Sequence, residues 1–486
     1  MGEHILVIDE GTTSTRAMLF DLAGKCLATS QRELTQYYPE PGHVEHDAGE
    51  IWDKTLACAQ ALVERAGGAD RIAALGIANQ RETVVAWDKR TGEPLGRAIV
   101  WQDRRTAGMC AALKNSGHEA IVQAKTGLLL DPYFSATKMR WMLQNQREVR
   151  EAGERLALGT VESYLIYRLT GGLHVTDASN ASRTMLMPLD ASGWDSELLA
   201  LFGVPGAAMP EIIDSAGAIG ETAPELFGGP IKIRGAAGDQ QAATIGQACL
   251  SPGDTKATFG TGAFILANSG PRLPRSEHRL LTTVLYQIEG QRHYALEGSV
   301  FVAGSLIKWL RDELGILASA AETADLAPTV EDNGGVYLVP ALSGLGAPHW
   351  RPDAKAVLSG LSFSTKRAHI ARAALESMAY MANDLKAAFS ADGVRWERLK
   401  IDGGMAANNW MAQDLADILD LPVERPDFVE TTALGAAMLA GVGAGLFGSL
   451  EDAAVMRGQK KAFDPCIDPS IRQSRLEGWR QALSKV

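Results

Sequence analysis

The first apolar segment of the chain, residues 5–8, ends at Asp9 and is followed by a short polar turn and a second apolar segment, residues 17–20. Two such segments joined by the Gly-Thr-Thr-Ser sequence of residues 11–14 predict a β-hairpin. The turn offers backbone N–H groups and three hydroxyls, and Arg16 adds a guanidinium, so the hairpin suits phosphate oxygens. Asp9 suits a Mg²⁺ ion held through water. An ordinary hairpin without a ligand explains this segment equally well on its own.

Helical and extended patterns alternate after this hairpin. Apolar residues recur at helical spacing after Asp47, and Gly67 marks the end of that helix. Apolar segments at residues 72–78, 84–87 and 98–101 predict strands. Polar clusters follow the first and the last of these strands, at the positions where open α/β sheets bind their ligands.

Two further helices are predicted to begin directly after turns. Ser135 is the predicted N-cap of a helix over residues 136–143. A strand at residues 231–233 leads into a glycine-rich turn at residues 235–238, which ends at Asp239, and an alanine-rich helix follows. Asp239 is therefore expected at the junction of a turn and a helix.

The second half of the chain repeats the opening pattern of the first. A strand at residues 255–259 enters the turn Gly-Thr-Gly at residues 260–262, and residues 263–268 form the returning strand. This repeat predicts an N-terminal domain over residues 1–247 and a C-terminal domain over residues 248–486.

Three later segments complete the predicted second domain. Residues 367–389 have the pattern of a long helix, and the strand at residues 399–401 enters Asp-Gly-Gly at residues 402–404. Glu430 precedes a helix of small residues, 431–437, which can approach a neighbouring element closely.

Composition and charge narrow the classes of function. A chain of 486 residues exceeds what one hydrophobic core usually serves, which supports two domains. The net charge of 47 − 58 = −11 argues against nucleic acid or an anionic membrane as a partner. The five cysteines are scattered and include no C-x-x-C pair, which indicates neither a disulfide framework nor a zinc site. No secretion signal or apolar segment long enough to span a bilayer is visible, so we expect a cytoplasmic protein.

The phosphate-type elements suggest a nucleotide held in a cleft between two similar domains. They are two Gly-Thr hairpins and one strand-Asp-Gly-Gly-helix element. The sequence lacks G-x-x-x-x-G-K-[ST], since its one Gly-Lys pair, Gly24-Lys25, is followed by Cys26. It also lacks a Rossmann fingerprint, so neither a P-loop nucleotidase nor a dehydrogenase is favoured.

These elements resemble the nucleotide motifs of the actin/hexokinase superfamily, at residues 9–16, 259–262 and 402–404. Two further segments, residues 133–141 and 356–376, resemble the signatures of the FGGY family of carbohydrate kinases. The similarity extends over nearly the whole chain and is greatest to the members that phosphorylate glycerol. The segments most specific to those members are residues 79–83, 101–106, 131–135, 180–185 and 238–241.

The resemblance implies an α/β fold of two ribonuclease-H-like domains, with the active site in the cleft between them. It also implies ATP-dependent phosphorylation of glycerol to sn-glycerol 3-phosphate, with Mg²⁺, and leaves a homodimer or a homotetramer open. Transfer to an alcohol needs a carboxylate that accepts the hydroxyl proton, and Asp239 matches the general base of the family. From the residues alone, an N-cap of the following helix explains Asp239 equally well.

The resemblance also implies a set of glycerol-binding residues. Charged and amide side chains suit a triol, and such a site rejects analogues that lack a hydroxyl. From the sequence alone, Arg81 and Glu82 are also explained as a surface ion pair, and a strand Trp or Phe as part of a core. The residues that match hydrogen-bonding positions are Arg81, Glu82, Tyr133, Asp239 and Gln240, and those that match the aromatic positions beside the carbon chain are Trp101 and Phe264.

The ATP-binding positions match with two departures. Lys308 stands where the family has glutamine, which puts its contact in doubt. Glu10 replaces the usual glutamine beside Asp9, and we expect it to add a negative charge near the phosphates that either weakens nucleotide affinity or helps to hold Mg²⁺. The matching residues are Thr12, Thr13, Ser14 and Arg16 in the first phosphate loop, Thr261 in the second, and Gly304, Lys308, Gly404 and Asn408 on the adenosine side.

Two other hypotheses are compatible with this sequence. One is an FGGY kinase that acts on another small polyol or ketose, such as erythritol or xylulose. The other is a non-catalytic nucleotide-binding protein of actin-like fold. The joint presence of Asp9, Arg16, Asp239 and Thr261 argues against the second, because binding alone needs no general base.

One segment bears on regulation. Bacterial members inhibited by fructose 1,6-bisphosphate resemble one another in a loop that contains glycine and arginine. The corresponding residues here, 225–230, are few and include no arginine. We therefore expect this inhibition to be weak or absent.

Overall fold

The computed structural model describes residues 2–351 and 353–486, which form an α/β fold around one continuous sheet of 13 strands. The strands of the first half, residues 1–247, are β1 (His4–Glu10), β2 (Ser14–Phe20), β3 (Cys26–Glu33), β4 (Glu45–His46), β5 (Ile72–Asn79), β6 (Val84–Asp88), β7 (Ala98–Ile99), β8 (Leu156–Thr160), β9 (Val175–Asp177), β10 (Glu211–Ile213), β11 (Ala216–Glu221) and β12 (Lys232–Gly238). Those of the second half, residues 248–486, are β13 (Thr255–Phe259), β14 (Ala263–Gly270), β15 (Leu281–Ile288), β16 (Gln291–Val300), β17 (Tyr337–Val339), β18 (Val357–Ser359), β19 (Leu399–Asp402), β20 (Val423–Pro426) and β21 (Lys460–Phe463).

The helices are distributed over both halves. Those of the first half are α1 (Ala48–Ala66), α2 (Ala107–Asn115), α3 (Glu119–Thr126), α4 (Ser135–Asn145), α5 (Arg147–Glu151), α6 (Val161–Thr170), α7 (Ala178–Ala181), α8 (Ser196–Phe202), α9 (Pro224–Phe227) and α10 (Asp239–Gly246). Those of the second half are α11 (Gly304–Asp312), α12 (Glu322–Leu326), α13 (Arg367–Ala391), α14 (Asn409–Leu419), α15 (Thr431–Gly443), α16 (Leu450–Ala453) and α17 (Pro469–Leu483).

The two halves of the large sheet share one arrangement of strands. Its order is β21-β20-β19-β13-β14-β16-β15-β11-β12-β5-β1-β2-β3. In the first half β1 pairs antiparallel with β2 and parallel with β5. In the second half β13 pairs antiparallel with β14 and parallel with β19. This repeat confirms the predicted α/β fold with two similar halves, each opened by a Gly-Thr hairpin.

Helix α15 from the second half packs on the first half of the sheet. Its small side chains form one apolar core with residues of β1, β5 and β12. It also crosses α10 closely, because a Cβ atom on Gly435 would overlap the carbonyl oxygen of Ala242. The small-residue helix predicted after Glu430 is confirmed, and its close neighbour is the helix that begins at Asp239.

The structure confirms one predicted helix end and corrects two other predictions. Asp47 caps α1 through hydrogen bonds from two backbone N–H groups, and the left-handed Gly67 ends it. Ser135 is wrong as an N-cap, because it is the first residue of α4 and its hydroxyl donates to the carbonyl of Glu82 (3.1 Å). The predicted turn at residues 235–238 is wrong as well. These residues continue β12, where Gly235 leaves room for the backbone of α15.

No helix among residues 2–351 and 353–486 is long and apolar enough to cross a membrane. The five cysteines are free thiols.

Candidate active site

A cavity of about 840 Å³ is lined by the turns of both Gly-Thr hairpins. Glycine at position 304 is required there by close packing, since a Cβ atom would lie 2.6 Å from the carbonyl oxygen of Gly260. Lys308 follows one turn later on α11 and also lines the cavity. The predicted nucleotide-binding residues brought together at this cavity are Thr12, Thr13, Thr261, Gly304, Lys308, Gly404 and Asn408.

Ser14 and Arg16, which were also predicted in the first phosphate loop, lie on β2. Ser14 closes the turn, and its carbonyl accepts a hydrogen bond from Gly11 N (3.1 Å). Arg16 lies between two carboxylates, with Nη2 at 3.3 Å from Asp9 Oδ2 and Nη1 at 2.5 Å from Glu430 Oε2. Burial raises the pKa of Asp9 to about 6, although the charge of Arg16 opposes this shift.

The sequence suggested that Glu10 places a negative charge beside the phosphates, and this prediction is wrong. Its side chain is fully buried and faces α1, where Thr55 Oγ1 donates to Glu10 Oε2 (2.7 Å). Burial raises the pKa of Glu10 to about 8, against the hydrogen bonds from Thr15 and Thr55. Neighbouring residues of a strand point to opposite faces, so Asp9 faces Arg16 and Glu10 faces the helix. The raised pKa therefore favours the neutral form of the Glu10 carboxyl at neutral pH.

Glu10→Gln is expected to remove a pH-dependent loss of stability. The pKa of Glu10 is about 8 when folded and near its ordinary value of 4.5 when unfolded, so between these values the native state holds the additional proton. The free energy of unfolding of the wild type therefore falls as pH rises through this window, and the variant lacks this contribution. The free energy of unfolding of Glu10→Gln, relative to that of the wild type, should therefore increase from about pH 5 to about pH 9. Urea denaturation without nucleotide or Mg²⁺ measures this, with exposed Glu64→Gln on α1 as the control; a difference independent of pH contradicts the prediction.

Arg81 and Glu82 are buried, so the alternative of a surface ion pair is wrong. Arg81 Nη1 donates to Glu297 Oε2 (2.6 Å), and Nη2 donates to Glu297 Oε1 (3.1 Å) and to the hydroxyl of Tyr133 (3.0 Å). Arg183 Nε donates to Glu82 Oε1 (2.6 Å), and its Nη2 donates to Glu297 Oε1 (3.0 Å). Two arginines and two carboxylates thus form one hydrogen-bonded group with the phenol of Tyr133.

The backbone of Glu82 has φ of 62°, which is uncommon for a residue with a side chain. Its carboxylate is fixed by Arg183, and its carbonyl accepts from Ser135. Unusual backbone angles held by several contacts are typical of functional sites.

Trp101 lines both the cavity of about 840 Å³ and a second cavity of about 400 Å³, which Tyr133 also lines. Its ring centroid is 5.7 Å from that of Tyr133 and 5.9 Å from that of Phe264, both in edge-to-face geometry. Its indole N–H donates to the hydroxyl of Thr12 in the first turn (2.9 Å). The predicted aromatic residues are thus together, and one of them contacts the predicted phosphate loop directly.

Asp239 is the first residue of α10 and Gly238 occupies the N-cap position, so the N-cap alternative is wrong. Asp239 Oδ1 accepts from Gln240 N (2.7 Å) and lies 3.4 Å from Arg81 Nε. The side chain of Asp239 is 30% exposed to solvent, so part of the carboxylate is accessible. Burial raises the pKa of Asp239, and the charges of Arg81 and Lys256 oppose this shift.

Lys256, on β13 of the second half, fixes the amide of Gln240. Its Nζ donates to Gln240 Oε1 (2.5 Å) and to Thr258 Oγ1 (2.7 Å). Since the amide oxygen is occupied, the NH₂ group of Gln240 is the part left to contact a ligand. Burial lowers the pKa of Lys256, against the charges of Asp402 and Asp239.

Lys138 orders the segment that holds Tyr133. Its buried Nζ donates to the carbonyls of Pro132, Tyr133 and Phe134, at 2.9, 2.5 and 3.0 Å. Burial lowers the pKa of this lysine to about 7. Three acceptors on one amino group fix the backbone that presents the Tyr133 phenol.

No role was predicted from the sequence for Arg183, Lys256 or Glu297. One available signal was a charged residue inside an apolar strand, as at Lys256 in β13 and Glu297 in β16. Such residues are rarely buried without a partner. Their partners were not predictable, because they lie on other strands and helices.

Two family models match this chain. The model of the FGGY family of carbohydrate kinases, N-terminal domain, matches residues 4–246, and that of the C-terminal domain matches residues 255–444. Together they cover most of the chain.

Similar proteins are known over the full length. A glycerol kinase of Rhodospirillum centenum is 53% identical over 492 residues, covering 100% of this chain and 99% of the relative. A glycerol kinase of Alcanivorax borkumensis is 53% identical over 489 residues, covering 99% and 98%. Among solved structures, glycerol kinase of Plasmodium falciparum with ADP superposes with a TM-score of 0.92 at 34% identity, covering 99% of this chain and 98% of that one. Xylulose kinase of Rhodospirillum rubrum gives a TM-score of 0.86 at 26% identity, covering 99% and 98%.

Proposed function

Because this chain belongs to the FGGY family of carbohydrate kinases, we propose that it transfers the γ-phosphoryl group of ATP to glycerol, with sn-glycerol 3-phosphate and ADP as products. The proposal rests on the contact between two sites. Trp101, one of the residues proposed to bind glycerol, also lines the cavity proposed for ATP, and its indole N–H donates to the hydroxyl of Thr12 (2.9 Å). Membership of a kinase family also argues against the alternative hypothesis of a non-catalytic nucleotide-binding protein.

Asp239 is proposed as the general base. Its carboxylate contacts Arg81 on the side of the polyol pocket, and its charge contributes to the raised pKa of Asp9 at the end of β1. In the reaction the carboxylate accepts the proton of a terminal glycerol hydroxyl. The hydroxyl oxygen forms a bond to the γ-phosphorus, and the bond from that phosphorus to the bridging oxygen of ADP breaks.

The ATP phosphates are proposed to lie between the two hairpin turns. Thr12, Thr13 and Thr261 offer hydroxyls and backbone N–H groups there. Ser14 and Arg16 follow on β2, and Arg16 would exchange its contact with Glu430 for one with phosphate. Adenosine is proposed beside Gly304, Lys308, Gly404 and Asn408, which line the same cavity.

Asp9 fits a Mg²⁺ ion held through water. Within the part of the chain that the structure describes, its buried Oδ2 accepts no hydrogen bond. The charges of Glu430 and Asp239 help to raise its pKa, which indicates a local excess of negative charge. A bound Mg²⁺ ion would offset the charge of the ATP phosphates.

Glycerol is proposed to bind among Arg81, Glu82, Tyr133, Asp239 and Gln240. The guanidinium and the amide NH₂ donate hydrogen bonds, and the carboxylates accept them, so each hydroxyl of a triol can be paired. Trp101 and Phe264, whose ring centroids lie 5.9 Å apart, are proposed to lie beside the carbon chain.

Three further expectations remain proposals. The division into domains at residues 1–247 and 248–486 is supported by the limits of the two family matches, 4–246 and 255–444. A cytoplasmic location is supported by the free cysteines. Weak or absent inhibition by fructose 1,6-bisphosphate stays a prediction.

A panel of acceptors tests the proposed function. ATP consumption is measured with glycerol, erythritol and xylulose, and each product is identified by mass. We expect kcat/KM for glycerol to exceed that for the other acceptors by about 100-fold or more, because unpaired polar groups penalise a poor fit. A preference for erythritol or xylulose would instead support the alternative FGGY kinase.

A further inference from the structure

We propose that Glu297 is a positioning residue for polyol recognition: a carboxylate from the second half of the chain that fixes the guanidinium of Arg81 in the first half. The inference rests on the proposed function and deepens it. It assigns a role in substrate affinity to a residue outside the polyol pocket itself.

Glu297 is fully paired and fully buried. Its two oxygens accept hydrogen bonds from both terminal nitrogens of Arg81, at 2.6 and 3.1 Å. Its Oε1 also accepts hydrogen bonds from Arg183 Nη2 (3.0 Å) and Ser299 Oγ (3.0 Å). Arg183 and Arg81 hold the pKa of Glu297 at about 2, although burial opposes the charged form. The carboxylate is therefore ionised at neutral pH.

This pairing determines which edge of Arg81 is free. A guanidinium has five N–H donors. The terminal nitrogens are directed to Glu297 and Tyr133, whereas Nε faces the carboxylates of Asp239 (3.4 Å) and Glu82 (3.7 Å). The side of Arg81 that carries Nε thus faces the residues proposed to bind glycerol.

The strand that carries Glu297 also supports an aromatic residue of the pocket. On β14 and β16, Leu266 pairs with Glu297 and Phe264 pairs with Ser299. Arg81 lies 5.9 Å from the ring centroid of Phe264. A movement of β16 relative to the first half would therefore displace both the guanidinium and the aromatic side chain.

Glu297 accepts hydrogen bonds from both Arg81 and Arg183, and its negative charge offsets theirs. Removing one buried partner leaves an uncompensated charge. Arg81 would then be drawn towards Glu82, one of the carboxylates proposed to bind glycerol, and away from its position beside Tyr133.

Glu297→Gln tests the proposal by separating substrate affinity from turnover. We expect KM for glycerol to rise about tenfold or more, with KM for ATP and kcat within about threefold of wild type. The preference for glycerol over 1,2- and 1,3-propanediol should also fall, because a less fixed donor discriminates less between acceptors. Equal changes in the two KM values, or an unchanged KM for glycerol, would overturn it.

A matched control separates positioning from a loss of stability. Glu376 is an equally buried carboxylate that pairs with Arg372 (2.8 Å) on α13. Glu376→Gln should lower Tm and leave both KM values within about threefold. If Glu297→Gln does not fold, Glu297→Asp keeps the charge and shortens the reach, and an unchanged KM for glycerol in that variant overturns the proposal. Wild-type turnover of glycerol in the same assay tests the proposed function separately.

Discussion

Replacing Asp239 by asparagine is expected to lower kcat for glycerol by about 10²–10⁴-fold, because an amide cannot accept the proton of the hydroxyl. Asparagine has nearly the same shape, and its carbonyl oxygen can still accept from Gln240 N, as Asp239 Oδ1 does at 2.7 Å. The start of α10 should therefore be preserved. Nucleotide affinity should stay within about threefold of wild type, which calorimetric titration with ADP measures.

The control for this variant is a buried aspartate elsewhere. Asp417 on α14 accepts from the backbone N–H of Cys466 (2.7 Å) and lies in the second half. Asp417→Asn should lower Tm while kcat stays within about threefold. If Asp239→Asn retains wild-type turnover, Asp239 has no part in proton transfer, whatever its effect on stability.

Elements whose signals are local were predictable from the sequence. The hairpin of β1 and β2 has its apolar strands and its glycine within residues 4–20, and the helix α1 has its cap at Asp47 and its end at Gly67. Each of these depends on contacts between residues close in the chain. The repeat of this hairpin at β13 and β14 was sufficient to predict two similar halves.

Errors arose where tertiary packing decides the local structure. Residues 235–238 have the composition of a turn, but they extend β12, because this strand pairs with β5 and α15 packs against it. Ser135 is a residue type that commonly caps helices, but its hydroxyl donates a hydrogen bond to the carbonyl of Glu82. In both cases a contact distant in sequence outweighed the local preference.

Charge states were the least predictable feature of the site. Glu10 was expected to add a negative charge near the phosphates, and the alternation of side chains along β1 places it instead against Thr55 in the interior. Arg81 and Glu82 are equally compatible with an exposed ion pair until Arg183 and Glu297 are known to enclose them. A sequence shows which groups can ionise, whereas burial and distant partners determine whether they do.

The second half contributes to the proposed polyol site through buried charges. Glu297 fixes Arg81, and Lys256 fixes Gln240, so two residues of the first half that are proposed to bind the polyol depend on strands β16 and β13. A separated first half would therefore keep the hydrogen-bonding residues proposed for glycerol, lose Phe264 on β14, and lose the contacts that orient Arg81 and Gln240. This dependence explains why a polyol site formed mainly by one half needs the other half in place.

Lys256→Met is expected to lower kcat/KM for glycerol by about 100-fold or more, the second largest effect that the structure predicts. The substitution leaves Gln240 Oε1 without its donor at 2.5 Å, so the amide is free to rotate and present its oxygen to the substrate. It also removes a positive charge that lowers the pKa of Asp239. The base should then lose its proton only at higher pH, so the acidic limb of kcat/KM should move to higher pH.

The pH profile distinguishes these two effects from a simple loss of packing. Lys400 on β19 provides the control, because it is also buried and its Nζ donates to the carbonyl of Ala248 (2.7 Å), away from Gln240. Lys400→Met should lower Tm and leave the acidic limb where it is in the wild type. A Lys256→Met variant whose kcat/KM falls without any shift of that limb would show that the lysine acts on the amide of Gln240 alone. A variant with wild-type kcat/KM would show that neither Gln240 nor Asp239 depends on this charge from the second half.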